Sequence, residues 1–172
     1  MTEIARLRNR LLGRVLTRFP FLSRPFITSF KPQESIEIPW APVRKVLRDS
    51  TVALVTTTGV HHKTDKPFNM EDSQGDPTYR LIDGTESVSD LMITHDYYDH
   101  ADADRDINIV FPLERLREFQ QEGIIGRVAQ KHYSFMGHIL GVHIDALMSK
   151  TSPEVAGKLK ADGVDIALLT PG

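Results

Sequence analysis

Two apolar segments constrain the fold of this chain more than any other feature. Residues 51–57 (TVALVTT) are β-branched and apolar enough to be buried on both faces, and residues 164–169 (VDIALL) form a second such segment. Burial on both faces is typical of a central strand in a parallel sheet. Because such a sheet needs helices to cover it, the two segments predict a layered α/β domain.

Helical segments alternate with these strands. Pro112 precedes an amphipathic helix at 113–121, and Pro153 lies in the first turn of another, which Thr151 or Ser152 can cap. Glycines, Gly123 and Gly163, follow both helices. A short helix is predicted at 43–48, and further strands at 90–94, 107–111 and 128–135. The alternation predicts an open, mostly parallel sheet with flanking helices, in a three-layer, Rossmann-like order.

The sheet is expected to be incomplete within the printed sequence. A buried parallel strand is normally followed by a crossover helix, yet only Thr170, Pro171 and Gly172 follow the segment at 164–169. We therefore expect the C-terminal part of the domain to be missing. In doubly wound sheets the ligand binds outside the carboxyl ends of the strands, which is where this segment ends.

Charge is unevenly distributed along the chain. Residues 1–32 carry seven bases and one acid, whereas the remaining 140 residues carry 14 bases and 22 acids. Residues 1–18 are predicted to form a basic amphipathic helix, because their apolar residues recur at helical spacing. Such a helix can lie on an anionic membrane or dock on an acidic partner. Packing on the protein's own body or across a homodimer is the commoner use.

A proline-rich arm is predicted between this helix and the domain at 43–172. Five prolines in residues 19–42 exclude a continuous helix there. No apolar run reaches the ~20 residues that span a bilayer, and arginines interrupt the apolar core that a signal peptide needs. We expect the protein to be cytoplasmic and to have no nucleic-acid partner. A homo-oligomer is one form that it could take.

The chain contains no cysteine. This excludes a disulfide scaffold, cysteine-ligated zinc or iron–sulfur sites, and any thiol nucleophile supplied by these residues.

Polar clusters follow three of the predicted strands. At residues 59–66, a turn at Gly59 could present His61 and backbone donors to a carboxylate, or it could be a charged, solvated turn. At residues 131–138, backbone amides could bind a carboxylate if Gly137 ends a strand and opens a helix. His138 and His143 are expected to be helix-surface residues.

The third cluster, residues 95–108, contains two histidines and five aspartates before residue 107. Its spacing matches neither the HExxH zinc motif nor a calcium loop, so we expect no metal. The favoured interpretation is a polar network in which aspartates cap the turn before the strand at 107–111. Asp106 or Asn108 would then hold Arg105 or a substrate amine.

Four segments together resemble a known family. They are TVALVTTTGVHHKTDKPFN, THDYYDHADADRDINIVFPLERLREFQQEG, HYSFMG and PEVAGKLKADGVDIALLTPG. They resemble the selenoprotein B family of glycine/sarcosine/betaine reductase and D-proline reductase. The match covers about residues 39–172, in order, and is most similar to the short D-proline reductase component. The segment before Ser35 lies outside it.

The resemblance implies reductive cleavage of a carbon–nitrogen bond in an amino acid. A pyruvoyl group on a partner subunit would hold the substrate amine, and a selenolate or thiolate of this component would attack the adjacent carbon. This chain would bind no cofactor itself, and a thiol reductant would regenerate the nucleophile. A substrate-binding role is implied for Gly59, His61, His95, Asp106, Asn108, Gly137 and Thr170.

In this family the Sec-x-x-Cys or Cys-x-x-Cys motif directly follows the strand and turn that match residues 167–172. The catalytic residue is therefore expected just after Gly172, where a UGA codon translated as selenocysteine would end the reading frame. A trimmed sequence or a decayed gene would end the same way. The alternative function is a non-catalytic ligand-binding or assembly subunit, docked to a membrane or a partner through residues 1–18.

Overall fold

The main sheet is built around one buried strand, β1. The computed structural model describes residues 3–29 and 41–171. The strands are β1 (Thr51–Thr56), β2 (Val60–His62), β3 (Tyr79–Asp83), β4 (Leu91–Ile93), β5 (Arg127–Val128), β6 (Lys131–Phe135) and β7 (Ile166–Thr170). The α-helices are α1 (Glu3–Arg18), α2 (Arg24–Ser29), α3 (Leu113–Gln121), α4 (Val142–Ala146) and α5 (Ser152–Ala161).

β1 pairs in parallel with β5 and β6 along one edge and with β7 along the other. The register places Val55 opposite Tyr133 of β6 and Leu169 of β7. β3 lies on the far side of β6 and runs antiparallel to it. The chain therefore has an α/β fold with a mixed, mostly parallel sheet. The Rossmann-like, three-layer order stays a prediction.

A histidine bridges the gap between β5 and β6. On the same side of β1, the Ala129 N–H donates to the carbonyl of Val52, at 2.8 Å. The Leu54 N–H donates to Nδ1 of the buried His132, at 2.9 Å. A side chain thus completes the hydrogen-bond ladder in the centre of the sheet.

One helix packs on each face of the main sheet. Leu113 and Leu116 of α3 join the apolar cluster that contains Leu54, whereas Leu159 of α5 joins the cluster that contains Ala53. Successive strand residues point to opposite faces, so the two clusters cover both sides of β1. This is why β1 consists of apolar and β-branched residues that are nearly all buried, as the sequence predicted.

Burial of residues 164–169 on both faces, however, is not observed. The strand forms as β7, but its residues are intermediate or exposed, and Leu169 is 69% exposed. Of its residues, Ile166 packs partly against the cluster that contains α3, whereas Ala167, Leu168 and Leu169 are exposed.

Two other predicted elements were wrong, and a third forms but pairs differently from the prediction. Residues 107–111 form a 3₁₀ turn at Ile107–Ile109 instead of a strand, because the Asp106 carboxylate accepts the Asn108 N–H and starts a turn. The short helix at 43–48 is limited to a 3₁₀ turn at Leu47–Asp49. The strand at 90–94 exists as β4, but it pairs antiparallel with β2 in a separate sheet.

Two helix boundaries also differ from the prediction. Neither Thr151 nor Ser152 caps α5, because a π-helical turn at Leu147–Thr151 joins it directly to α4. Within the predicted extended arm, residues 20–22 and 24–29 are helical. The part of the arm at 30–40 lies outside the described residues.

Candidate functional site

The carboxyl ends of β1, β6 and β7 meet at one edge of the main sheet. Thr57 follows β1 and donates its N–H to the carbonyl of Thr170, at 3.0 Å. The Thr170 hydroxyl donates to the carbonyl of Val110, at 2.7 Å. The end of β7 is therefore held on two sides, by β1 and by the 3₁₀ turn at Ile107–Ile109.

Gly59 and Gly137 allow the backbones at this edge to approach closely. Gly59 has φ 74°, and a Cβ atom there would lie 2.5 Å from the carbonyl oxygen of Thr94. A Cβ atom at Gly137 would lie 2.7 Å from the carbonyl oxygen of Thr57. The Gly59 N–H already donates to Phe135, so it is engaged within the chain. Gly137 does not open a helix, contrary to prediction, since α4 begins at Val142.

Replacing Gly59 with alanine is expected to lower the free energy of unfolding by about 3 kcal/mol, because it adds a steric clash to an unfavourable φ. Urea denaturation measures the effect. Gly157→Ala is the matched control: it lies in α5, a Cβ atom there meets nothing within 4 Å, and it should be neutral or stabilising. Equal stability of the Gly59 variant and the wild type would contradict the prediction.

His95 follows β4 and lies beside both glycines. Its Nδ1 accepts the N–H of Tyr97 at 3.1 Å, and its Nε2 lies 3.7 Å from the position of a Cβ atom at Gly137. Burial, with smaller contributions from His138 and His100, lowers the pKa of His95 to about 4. The imidazole is therefore neutral near pH 7 and carries its proton on Nε2. Within the described part of the chain, Nε2 has no hydrogen-bond partner.

Aromatic rings surround His95. Tyr98 meets it edge-on at a centroid distance of 4.7 Å, and Tyr97 at 5.9 Å. Tyr97 in turn stacks on His138 at 3.6 Å. Burial raises the pKa of Tyr98, so its hydroxyl stays protonated and donates to the carbonyl of Thr58 at 3.1 Å. These rings fix the orientation of His95 at the sheet edge.

His61 lies in β2 rather than in a solvated turn. It is fully buried, and its two ring nitrogens bond to the carbonyl of His62 at 2.7 Å and to the Thr94 hydroxyl at 2.8 Å. Burial lowers the pKa of His61. With both nitrogens engaged, His61 links β2 to the residue that precedes His95.

Asp106 and Asn108 form a network with the start of α3. Asn108 Nδ2 donates to the carboxylates of Asp106 and Glu114, at 3.0 and 2.8 Å, and the Glu114 N–H donates back to Asn108. Hydrogen bonds from the Asn108 side chain and backbone lower the pKa of Asp106. Arg105 pairs with Asp102 at 3.0 Å rather than with Asp106 or Asn108, so of the two predicted partners only a substrate amine stays a prediction.

Three of the predicted site residues line two adjoining cavities, which share Met92, Ile93 and Asp104. His95 lines one of about 380 Å³ beneath α1, together with Asp96 and Tyr98. Asp106 and Asn108 line another of about 470 Å³. The structure thus brings together Gly59, His95 and Gly137, with Thr170 one strand away, and leaves Asp106 and Asn108 apart.

Asp96 is a residue whose role the sequence did not indicate. Its side chain is 2% exposed, and its two oxygens accept hydrogen bonds from Arg6 Nε and Arg10 Nε of α1, at 2.6 and 2.7 Å. Burial raises the pKa of Asp96, but the bonds from the two arginines outweigh burial and lower it. The excess of basic residues in 1–32 was the one sequence feature that could have indicated an acidic partner within the chain.

Among the described residues, no three side chains of the metal-ligating types cluster closely enough to hold a metal ion. None of the helices in residues 3–29 and 41–171 combines the length and apolar character needed to cross a membrane.

A mostly parallel α/β sheet with polar groups at the carboxyl ends of its strands is typical of a small-molecule-binding domain. Residues 14–172 match the family model described as glycine/sarcosine/betaine reductase selenoprotein B. The chain belongs to this family, and the resemblance seen in the sequence is confirmed.

Three curated relatives are components of reductases. The chain is 45% identical over 133 residues to the D-proline reductase subunit gamma of Acetoanaerobium sticklandii, covering 77% of this chain and 53% of that protein. It is 34% identical over 136 residues to the glycine reductase complex component B subunit gamma of Carboxydothermus hydrogenoformans, covering 77% of this chain and 30% of that protein. It is 33% identical over 134 residues to the betaine reductase complex component B subunit beta of Peptoclostridium acidaminophilum, covering 76% and 29%.

The chain therefore spans about half the length of the first relative and about a third of the other two. No solved structure matches it at a significant level.

Proposed function

We propose that this chain is a subunit of a reductase complex that cleaves the carbon–nitrogen bond of an amino acid or a related amine, of the glycine, sarcosine, betaine or D-proline type. The observation that carries the proposal is the 45% identity to a D-proline reductase subunit. Because the 172 residues contain no cysteine, the selenocysteine or cysteine nucleophile would lie after Gly172. The Rossmann-like order of the complete domain belongs to the same proposal.

The chemistry balances as a two-electron reduction. The selenolate or thiolate attacks the carbon that bears nitrogen, the carbon–nitrogen bond breaks, and the nitrogen leaves with the bonding electron pair and takes up a proton. A second thiolate then attacks the selenium or sulfur, and the carbon fragment leaves with its electron pair and is protonated. The resulting selenide–sulfide or disulfide is reduced by an external thiol.

The edge of the main sheet supports this proposal. Thr170 is held by Thr57 and by Val110, so the chain would leave β7 from a fixed point toward the nucleophile. A rigid element beneath a nucleophile limits its position, which favours attack at one carbon.

The neutral His95 suits a substrate carboxylate. The pyruvoyl group, proposed for a partner subunit, would hold the substrate amine. His95 offers a neutral N–H donor. It can therefore donate a hydrogen bond to the substrate carboxylate while the pyruvoyl group holds the substrate amine.

Replacing His95 with phenylalanine is expected to lower kcat/KM of the assembled reductase by roughly tenfold to a hundredfold, because the ring is retained while the donor to a charged group is lost. Steady-state kinetics with the partner subunit and a thiol measure it. His143→Phe is the control, since His143 lies on α4 and bonds to Asp72 instead. Unchanged kcat/KM in the His95 variant would show that His95 does not bind the substrate carboxylate.

Two experiments test the function itself. Sequencing the gene beyond the codon of Gly172 should give a UGA or a cysteine codon in frame; UAA or UAG, with no cysteine codon following in frame, would contradict the placement of the nucleophile. The chain extended through that codon, with cysteine in place of selenocysteine, should reduce substrate with a dithiol when the partner subunit is present. Turnover by the 172 residues alone, with the same partner subunit, would also contradict the placement of the nucleophile after Gly172.

A further inference from the structure

Helix α1 is attached to the domain by its polar side. Arg6 and Arg10 reach inward to the carboxylate of Asp96. Gly13 is buried on the same side, where a Cβ atom would lie 3.4 Å from the backbone of Tyr98. An amphipathic helix on a protein surface usually turns its apolar side toward the core, so this orientation is reversed.

The apolar side of α1 faces outward. We call Ile4, Leu7, Leu11 and Val15 the outer face of α1; their spacing of three and four residues places them on one side of the helix. Ile4 is 80% exposed, Leu7 59% and Leu11 52%. The exposed apolar surface continues beyond the helix with Phe19, Phe21 and Leu22. Large contiguous apolar surfaces of this kind mark interaction sites.

Charge indicates the kind of partner. α1 carries five arginines and one acid, Glu3. No carboxylate among the described residues pairs with Arg8 or Arg18, and Arg14 is 3.9 Å from Asp99. A second copy of the chain would set arginine against arginine, which opposes association through this face. The complementary surface is anionic.

We propose that the outer face of α1 binds an anionic phospholipid surface. The helix would lie in the plane of the headgroups, with its leucines and Phe21 in the acyl boundary and Arg8 and Arg18 extended to the phosphates. The bonds from Arg6 and Arg10 to Asp96 would hold the domain against the membrane-bound helix.

A lipid surface fits this face better than a groove on an acidic protein does. A groove accepts a few anchors from one side of a helix. Here exposed apolar side chains extend from Ile4 to the 3₁₀ turn at Pro20–Leu22, and Arg8 and Arg18 are exposed on the same side of the helix. Long arginine side chains within an apolar surface can reach sideways to headgroups.

Cosedimentation of the full 172-residue chain with lipid vesicles tests the proposal. Binding is expected to vesicles that contain phosphatidylglycerol and not to pure phosphatidylcholine, and it should weaken as salt is added. Leu7→Gln and Leu11→Gln should each weaken binding by about tenfold, and Arg8→Gln by about fivefold.

Met148→Gln and Val142→Gln are the controls, because both side chains are exposed as fully as the leucines but lie away from α1. They should bind vesicles as the wild type does. Circular dichroism establishes that all variants keep their helix content. Absence of binding to anionic vesicles, binding unaffected by the leucine changes, or elution of the chain as a salt-resistant dimer that the leucine changes abolish would each overturn the proposal.

Discussion

Replacing His132 with leucine is expected to lower the free energy of unfolding by about 3 kcal/mol at neutral pH. The Leu54 N–H, fully buried in the central strand, donates to His132 Nδ1 at 2.9 Å. Leucine has a similar volume but no acceptor, so the N–H would stay buried without a partner. Leucine would also lose the edge-on contact of the imidazole with Phe111.

The same histidine should give the stability a distinctive pH dependence. Burial lowers the pKa of His132 to about 4, from 6.5 in the unfolded chain. Between these values the unfolded chain binds a proton that the folded chain does not, so the stabilisation is complete above pH 6.5 and is lost as the pH falls toward 4. A shift of this size corresponds to about 3 kcal/mol. His95 adds a loss over the same pH range.

Urea denaturation at a series of pH values from 6.5 to about 4 measures both effects. The His132→Leu variant should start from a lower free energy of unfolding and lose clearly less of it on acidification than the wild type does. His143→Leu is the control: it removes only a surface contact with Asp72, which should cost less than about 1 kcal/mol and leave the pH profile unchanged. Parallel profiles for the His132 variant and the wild type would contradict the prediction.

The sequence predicted the parts of the fold in which local pattern and final burial agree. β1 was predictable because burial on both faces requires a run of apolar and β-branched residues without a charge, and α3 because a proline and a glycine bound its amphipathic pattern. Residues 107–111 are equally apolar, yet the carboxylate of Asp106 stabilises a turn that a strand pattern does not reveal. The exposure of β7 depends on where α3 and α5 pack, which periodicity along the chain does not encode.

The residues of the candidate site also differ in how far their positions could be predicted from the sequence. Gly59, Gly137 and Thr170 could be placed at one edge because each follows a predicted strand that ends there. His95 joined them although its strand belongs to the other sheet. The positions of Asp106 and Asn108 could not be derived from sequence, since they depend on the path of the preceding loop and on hydrogen bonds with Glu114. Their substrate-binding role stays a prediction.

The attachment of α1 was the hardest feature to predict, because Arg6 and Asp96 are 90 residues apart. Replacing Arg6 and Arg10 together with methionine is expected to weaken the docking of α1 by about 3–5 kcal/mol, because it removes both partners of a buried carboxylate. The two hydrogen bonds lower the pKa of Asp96 against the opposing effect of burial. Docking should therefore be complete above the pKa of an ordinary aspartate and be lost as the pH falls below it.

Amide hydrogen exchange across residues 3–18 measures the docking of α1. In the Arg6→Met/Arg10→Met variant these amides should exchange faster than in the wild type, and proteases should cleave the segment sooner, while protection of β1 stays unchanged. Arg8→Met/Arg18→Met changes the charge of the helix equally without touching Asp96, so its amides should keep wild-type protection. Equal protection of α1 in both double variants would show that backbone packing at Gly13, rather than the two arginines, holds the helix in place.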